Sequence, residues 1–358
     1  MAERRVLSTA GPLHSPRLQG RLAAPVLPFP CGDSALHPPG PFDARVMRNR
    51  DARKEQTMQN SERQDIYTRV TAKIIASLEQ GVRPWMKPWS GENAAARISR
   101  PLRHNGTPYS GINILMLWGA SVEHGFTSPS WMTFRQALEL NAHVRRGEKG
   151  SLVVYANTFT RTEEDAEGQE IDREIPFLKG YTVFNVEQIE GLPEHYYAKP
   201  EPRFTNVQRI DHADTFFAAT QADVRYRGGR AYYAQEADYI QMPPIDSFRD
   251  AESFYATLAH ESIHRTKHPS RLNRDFGRKV WGDEGYAREE LVAELGAAFL
   301  CADLEITPEV QEDHASYIAT WLQVLKNDTR AIFQAAAFAQ RAVDYLHGLQ
   351  PKQTEAAA

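Results

Sequence analysis

The sequence predicts an α+β protein of two domains behind an N-terminal tail. Three observations carry this. Residues 1–57 are proline-rich and lack hydrophobic periodicity. Residues 58–193 mix helical stripes with alternating, strand-like runs, which is an α+β pattern. Residues 204–350 are mainly helical in pattern, with one short pair of strands for a small β-sheet. The proline-bearing stretch 194–203 reads as a linker and 351–358 as a second tail. With 25% charged and 41% hydrophobic residues in 358, the composition is that of a soluble protein. No apolar run approaches the length of about 18 residues that a membrane span needs, so no membrane association is expected. Cys31 and Cys301 fall in a tail and an apolar helix, which argues against a structural disulfide and points to a reducing, cytoplasmic setting.

Taken in order, the tail contains Pro38-Pro39-Gly40-Pro41, and its basic start is followed by no signal-peptide apolar core. Met58 directly precedes the first structured pattern, so the tail reads as an over-extended translation start; peptides from residues 1–46 of the natural protein would refute this. Asp65 to Gln80 is a helix with Ile66, Val70, Ile74 and Leu78 on one stripe and Gly81 as its C-cap. Pro84 to Trp89 is an extended aromatic segment. Tyr109-Ser110-Gly111-Ile112-Asn113 leads into a helix through Leu117, and Ser130 to Ala137 starts another. Arg145 to Gly150 is a basic turn, and Ser151–Thr160 and Tyr181–Val186 alternate as strands around an acidic loop.

In the second domain, Ala231–Gln235 and Asp238–Met242 read as strands after the Gly228-Gly229 turn. A helix follows over Phe248–Lys267, with Ser247 and Asp250 as a capping box and Phe254, Tyr255, Leu258 and Ile263 as the apolar stripe. After a turn at Gly282-Asp283-Glu284-Gly285, another helix runs from Tyr286 to Ala302.

The first of these two helices carries His260-Glu261-Ser262-Ile263-His264. A helix places residues i and i+4 on one face, so His260 and His264 can bind one divalent metal from the same side. Glu261 is then placed to act as general base. A catalytic site needs a third protein ligand and one open position. The second helix offers Glu290, taken as the ligand, and Glu294, taken as its partner behind a ligand histidine, with the swapped assignment open. Glu294 lies in so apolar a stretch that burying it unpaired would be costly. Glu289 reads as a solvated position. His268 is a rival ligand, but Pro269 pushes it out of helical geometry. The expected ion is Zn²⁺ or another divalent metal such as Mn²⁺, and the expected chemistry is hydrolytic. Tyr286, His314 and Tyr317 are candidates for stabilising an oxyanion, with nothing to choose among them.

Charge divides the chain. Residues 61–160 carry 12 Lys/Arg against 7 Asp/Glu, whereas residues 161–358 carry 21 against 34. In the basic part, cations and aromatics interleave: Arg83, Trp85, Lys87, Trp89, Arg103, Tyr109, Trp131, Arg145, Arg146 and Lys149. Single-stranded nucleic acid is held by cations tracking phosphates and bases stacking on aromatic rings. The competing reading is that the tryptophans are core.

Several ordered motifs carry a family resemblance. Trp85-Met86-Lys87-Pro88-Trp89, Tyr109-Ser110-Gly111-Ile112-Asn113, Trp131-Met132-Thr133-Phe134, Arg146-Gly147-Glu148-Lys149-Gly150 and Phe184-Asn185-Val186-Glu187-Gln188-Ile189 resemble the N-terminal domain of ArdC-type antirestriction proteins. His260–His264, His268–Arg274 and Glu289–Leu295 resemble the zincin-type metallopeptidase domain of the same proteins. The resemblance implies a domain binding single-stranded DNA, a gluzincin-type metal site supporting Glu290 and Glu294 over His268, and a role on a plasmid or other mobile element in protecting incoming DNA from host restriction. Two other readings compete with that role. One is a protease that DNA directs to DNA-bound proteins. The other is a binding module with a non-catalytic metal site, which gives Glu261 no purpose. The protein substrate is left open, whether part of the host restriction system or another DNA-bound protein.

Overall fold

The computed structural model describes residues 66–85, 99–164, 170–197, 206–277, 284–306 and 315–351, all within one compact unit. The proline-rich tail, linker residues 198–203, Lys87, Trp89 and His314 lie outside the described residues.

Helix α1 (66–79) buries Ile66, Val70, Ile74 and Leu78 along one stripe. It stops at Gly81, whose φ of 74° suits a residue without Cβ, and whose N–H donates to Leu78 O at 2.9 Å. The first region continues through β1 (Leu102–Arg103), α2 (Ile112–His124), β2 (Ser130–Met132), α3 (Phe134–Glu139), β3 (His143–Val144), β4 (Ser151–Glu164), β5 (Glu170–Asn185) and β6 (Ile189–Glu190). The main sheet has the order β1-β2-β5-β4, with β1 parallel to β2 and the other neighbours antiparallel; β3 and β6 form a separate pair.

Two expectations are corrected here. Ser130–Met132 is a strand, and the helix begins only at Phe134. The cause is Thr133, an extended residue whose side chain accepts from Gln136 N while the Gln136 side chain accepts from Thr133 N, at 3.2 and 2.8 Å. Helix α2 does not end near Leu117 but runs to His124, stopped by Gly125 at φ 73°. Several residues of the ordered motifs are scaffold. Asn113 clamps β4 by accepting from Val154 N and donating to Val154 O, both at 2.8 Å. Asn185 and Gln188 form a buried capping box.

The second region comprises α4 (Asn206–Ala219), β7 (Val224–Tyr226), β8 (Tyr232–Ala234), β9 (Tyr239–Met242), α5 (Ala251–Arg265), α6 (Glu284–Leu304), α7 (Ala315–Asn327) and α8 (Ala331–Gly348). Its sheet is ordered β7-β9-β8, leaving β8 at an edge. The N-terminus of α5 differs from the sequence expectation. Asp250 is the cap, accepting from Ser253 N at 2.8 Å and Ser253 Oγ at 2.6 Å, while Ser247 ends a separate 3₁₀ turn.

Helix α6 is buried along most of its length and packs against α5, α7 and α8. Its closest approach to α5 is at Gly296, where a Cβ would lie 2.9 Å from three atoms of the buried Ile263 side chain. Gly296→Val is therefore expected to destabilise the protein by about 1–3 kcal/mol through overpacking. Thermal melts in a double-mutant cycle with Ile263→Ala check this. Strictly additive losses would show that this contact is not the cause.

Helices of both regions share one apolar core. The stripe of α1 packs with residues of α6, α7 and α8. The Tyr67 and Phe333 rings meet at 4.5 Å, Thr71 Oγ1 donates to Thr329 O at 2.7 Å, and Arg100 grips Asp303 through two bonds at 2.7 and 2.8 Å.

Candidate metal centre

Helix α5 projects His260 and His264 from one face, and α6 brings Glu290 against them. The two Nε2 atoms stand 3.2 Å apart. Glu290 Oε2 is 3.6 Å from His260 Nε2, and Glu290 Oε1 is 3.5 Å from His264 Nε2. With metal–ligand distances of about 2.0–2.1 Å, tetrahedral donors stand about 3.3 Å apart, so the spacing fits a single divalent ion. Among the described residues, these three form the group whose ligand atoms converge this closely.

Electrostatics agree with the geometry. Burial works against a charge on His264, but Glu290 and Glu289 outweigh it and push its pKa up to about 9. Burial likewise opposes the charge on Glu290, yet the two histidines hold its carboxyl well below the usual carboxylate range. Ionised carboxylates thus surround a position that favours positive charge, which is what a dication would supply.

Both imidazoles turn Nδ1 outward to a carboxylate. His264 Nδ1 lies 3.0 Å from Glu289 Oε1, and His260 Nδ1 lies 4.0 Å from Glu294 Oε2. Such partners fix ring orientation in metal sites. Glu289 corrects the sequence expectation of a solvated position. It is only 7% exposed, because α6 is surrounded and the 100° turn from Glu290 carries it to the far side of His264. Burial would raise its pKa, but hydrogen bonds from Arg274 and His264 hold it at about 2.

Arg274 was not singled out by sequence reasoning. It is buried, donates to both Glu289 oxygens at 2.8 Å, and ties them to Thr266 Oγ1 at 3.0 Å and Ile263 O at 3.1 Å. It sits in the irregular segment that follows α5, where periodicity gives no signal. His268 is not in the cluster. Helix α5 ends at Arg265, and His268 Nδ1 accepts instead from Ser270 N at 3.2 Å.

Glu261 follows His260 and is buried, at 7% exposure. Tyr286 lies beside Glu290. Burial first, and then that carboxylate's charge, push its phenol far above the ordinary range, so it stays protonated. Its hydroxyl also meets that of Tyr317 at 3.1 Å.

The candidate DNA-binding residues divide sharply. Trp85, Trp131 and Tyr109 are 0%, 1% and 3% exposed, so they are core and offer no face for a base to stack on. Arg83 is also buried and donates to Glu294 Oε1 at 2.7 Å, and the Trp85 indole N–H reaches the same oxygen at 3.3 Å. Trp85 packs edge-on to Trp321 at 5.8 Å. This corrects the nucleic-acid role expected of these four: the same mixture of rings and cations serves an interior. Arg103, Arg145, Arg146 and Lys149 are exposed, with Arg103 over the Tyr109 ring and Arg145 paired to Glu148 at 2.8 Å.

Two histidines and a glutamate on adjoining helices, beside a small sheet, form a candidate metal site of the zincin-like kind, here joined to an α+β N-terminal region. Comparison with known proteins agrees. The family described as "Zincin-like metallopeptidase" matches residues 211–338, and the "N-terminal domain of anti-restriction factor ArdC" matches residues 64–184. The metal-free crystal structure of the antirestriction ArdC protein from plasmid R388 is 48% identical, with a TM-score of 0.67 over 80% of this chain and 97% of that one. Its Mn(II)-bound structure is 45% identical, with a TM-score of 0.65 over 80% and 99%. The uncharacterized protein y4eC of Sinorhizobium fredii is 42% identical over 292 residues, which is 80% of this chain and 92% of that one. A DNA primase TraC of Escherichia coli is 36% identical over 305 residues, 81% of this chain but only 28% of the primase. The chain belongs to the ArdC family of antirestriction proteins, with an ArdC N-terminal domain followed by a zincin-like metallopeptidase domain.

His264→Ala is expected to reduce bound metal to less than about half of the wild-type stoichiometry by elemental analysis. Unaltered stoichiometry would sink the ligand assignment.

Proposed function

We propose that this chain protects incoming DNA of a mobile element from host restriction, holding single-stranded DNA on its N-terminal region and hydrolysing peptide bonds at the His260–His264–Glu290 centre. The observation that supports hydrolysis most is the convergence of His260, His264 and Glu290 beside a buried Glu261. The Mn(II)-bound state of the R388 relative supports a divalent ion at such a site, Zn²⁺ or Mn²⁺. That ion supplies the Lewis-acid activation that amide hydrolysis needs.

The chain's own groups perform the rest. Glu261 takes the proton of the attacking water and delivers it to the leaving amine. Tyr286, held protonated, offers a hydroxyl where negative charge develops on the substrate. Glu289 and Glu294 keep the two imidazoles facing inward. The edge strand β8 suits a substrate bound in extended form by strand addition.

DNA binding is supported by the family membership, by the exposed Arg103, Arg145, Arg146 and Lys149, and by a primase among the relatives. Among the described residues no helix is long and apolar enough to cross a membrane. The deciding experiment is restriction protection in cells by wild type and by Glu261→Gln. Protection lost in the variant ties the role to proteolysis. Protection kept in the variant but absent without the protein ties it to DNA shielding. No protection by wild type refutes the proposal.

A further inference from the structure

Helix α3 leaves two apolar side chains uncovered. Phe134 and Leu138 are 50% and 52% exposed, and at i and i+4 they share one face. Ala137, the buried residue of α3, seats the helix on a small core with Met132, Val186 and Ile189. The Phe134 ring meets the half-buried Phe184 ring edge-on, with 6.4 Å between centroids. Phe184 in turn touches the basic turn 145–150. A Cβ at Gly150 would lie 3.0 Å from two atoms of that ring, so the turn approaches as closely as glycine allows.

The turn is held from below. Arg145 N–H donates to Gln188 O at 3.0 Å. The buried Gln188 Nε2 donates to Glu148 Oε2 at 2.9 Å and to Lys149 O at 3.0 Å. Glu148, the acid of the turn, also accepts from Arg145 Nε and Nη2 at 3.2 and 2.8 Å. Acids on the neighbouring elements are engaged as well: Glu139 pairs with Arg135 at 3.0 Å, and Glu190 stands 3.3 Å from His143. Arg146 and Lys149 are exposed, and among the described residues neither side chain has an acidic partner. An exposed ring alone would suit another protein. A ring beside two such cations on a fixed turn suits a polyanion with flat apolar faces, and single-stranded DNA has that chemistry.

We infer that single-stranded DNA is held at this corner, with a base stacked on the Phe134 ring beside Leu138 and the adjoining phosphates on Arg146 and Lys149. This site rests on the DNA-binding reading above. It puts the stacking surface on an exposed helix instead of the buried tryptophans.

The test is fluorescence anisotropy with the full-length protein and a labelled oligothymidine. Phe134→Ala should weaken binding about 10- to 100-fold, and Phe134→Trp should retain it. Phe134→Leu keeps apolar cover over Phe184 but has no ring face, and should bind as weakly as Phe134→Ala. Arg146→Gln with Lys149→Gln should weaken binding and make the log–log salt dependence shallower by about 1.4. Arg135→Gln with Glu139→Gln removes a neighbouring pair at constant net charge and should leave binding unchanged. Melting temperatures report whether each variant is folded, and Phe134→Leu carries the stacking test where Phe134→Ala does not fold. If wild type binds and the Phe134→Leu and double-glutamine variants bind equally well, this placement is overturned while the DNA-binding reading stands. The apolar pair then falls to a protein partner. If wild type shows no binding at low salt, the reading itself fails and the site with it.

Discussion

Glu261→Gln should lower peptide hydrolysis by about 10²- to 10⁴-fold, the contribution of a positioned general base. The substitution keeps the shape of a side chain that is 7% exposed, so it leaves no cavity beside the histidines. Glutamine cannot accept the water proton, which removes the transfer step and nothing else. Metal content should therefore stay at the wild-type level, because His260, His264 and Glu290 are untouched. A peptide library digested by the full chain and read by mass spectrometry provides the assay, since it presumes no particular substrate. Cleavage at the wild-type rate would remove Glu261 from the reaction. Loss of metal in the variant would instead make it part of the ion's support.

Arg83→Ala should be the most damaging single change outside the metal ligands. Arg83 and Glu294 form an ion pair at 2.7 Å with both side chains almost fully buried. Removing one member of such a pair costs about 3–5 kcal/mol, with the Trp85 indole N–H still reaching Glu294. Glu294 also lies 4.0 Å from His260 Nδ1, so the loss should reach the metal centre. We expect a lower melting temperature together with faster loss of metal to a chelator. Arg83→Met combined with Glu294→Met should recover much of the stability, since apolar replacements of buried pairs are well tolerated, but not the metal retention. An Arg83→Ala protein with unchanged melting and unchanged metal release would show that the pair neither stabilises the core nor steadies His260.

The parts legible in the sequence were those where spacing alone dictates geometry. His260 and His264 share a face because four residues make about one helical turn, and Glu290 and Glu294 follow the same rule. Gly81 ended α1 as a glycine with positive φ does. What stayed hidden depended on which surfaces meet. Helix α6 is buried almost all round, so its pattern has no solvated face, and Glu289 could not be told from a surface residue until α5 was placed beside it. Trp85 and Trp131 show the reverse ambiguity, because rings interleaved with cations describe both a DNA-binding face and a core with buried ion pairs. Strand β7, three residues long, was too short to alternate. Thr133 and Gln136 are a different case: the capping signal was present in the sequence, three residues apart, and would have moved the helix start to Phe134.

The bond from Arg83 to Glu294 has a consequence for inheritance. In sequence the chain reads as two cassettes joined by a proline-bearing linker, where an exchange of domains would be expected to cut. Physically the cut does not fall there. Arg83 and Trp85 belong to the front cassette by sequence, yet their polar atoms complete the surroundings of a glutamate in the rear one. A crossover in the linker would hand Glu294 a foreign front half, and the hybrid would keep its metal centre only if the newcomer supplied an equivalent cation at the same place. A hybrid of two such proteins is therefore expected to retain the metal site only where its two halves match at this bond.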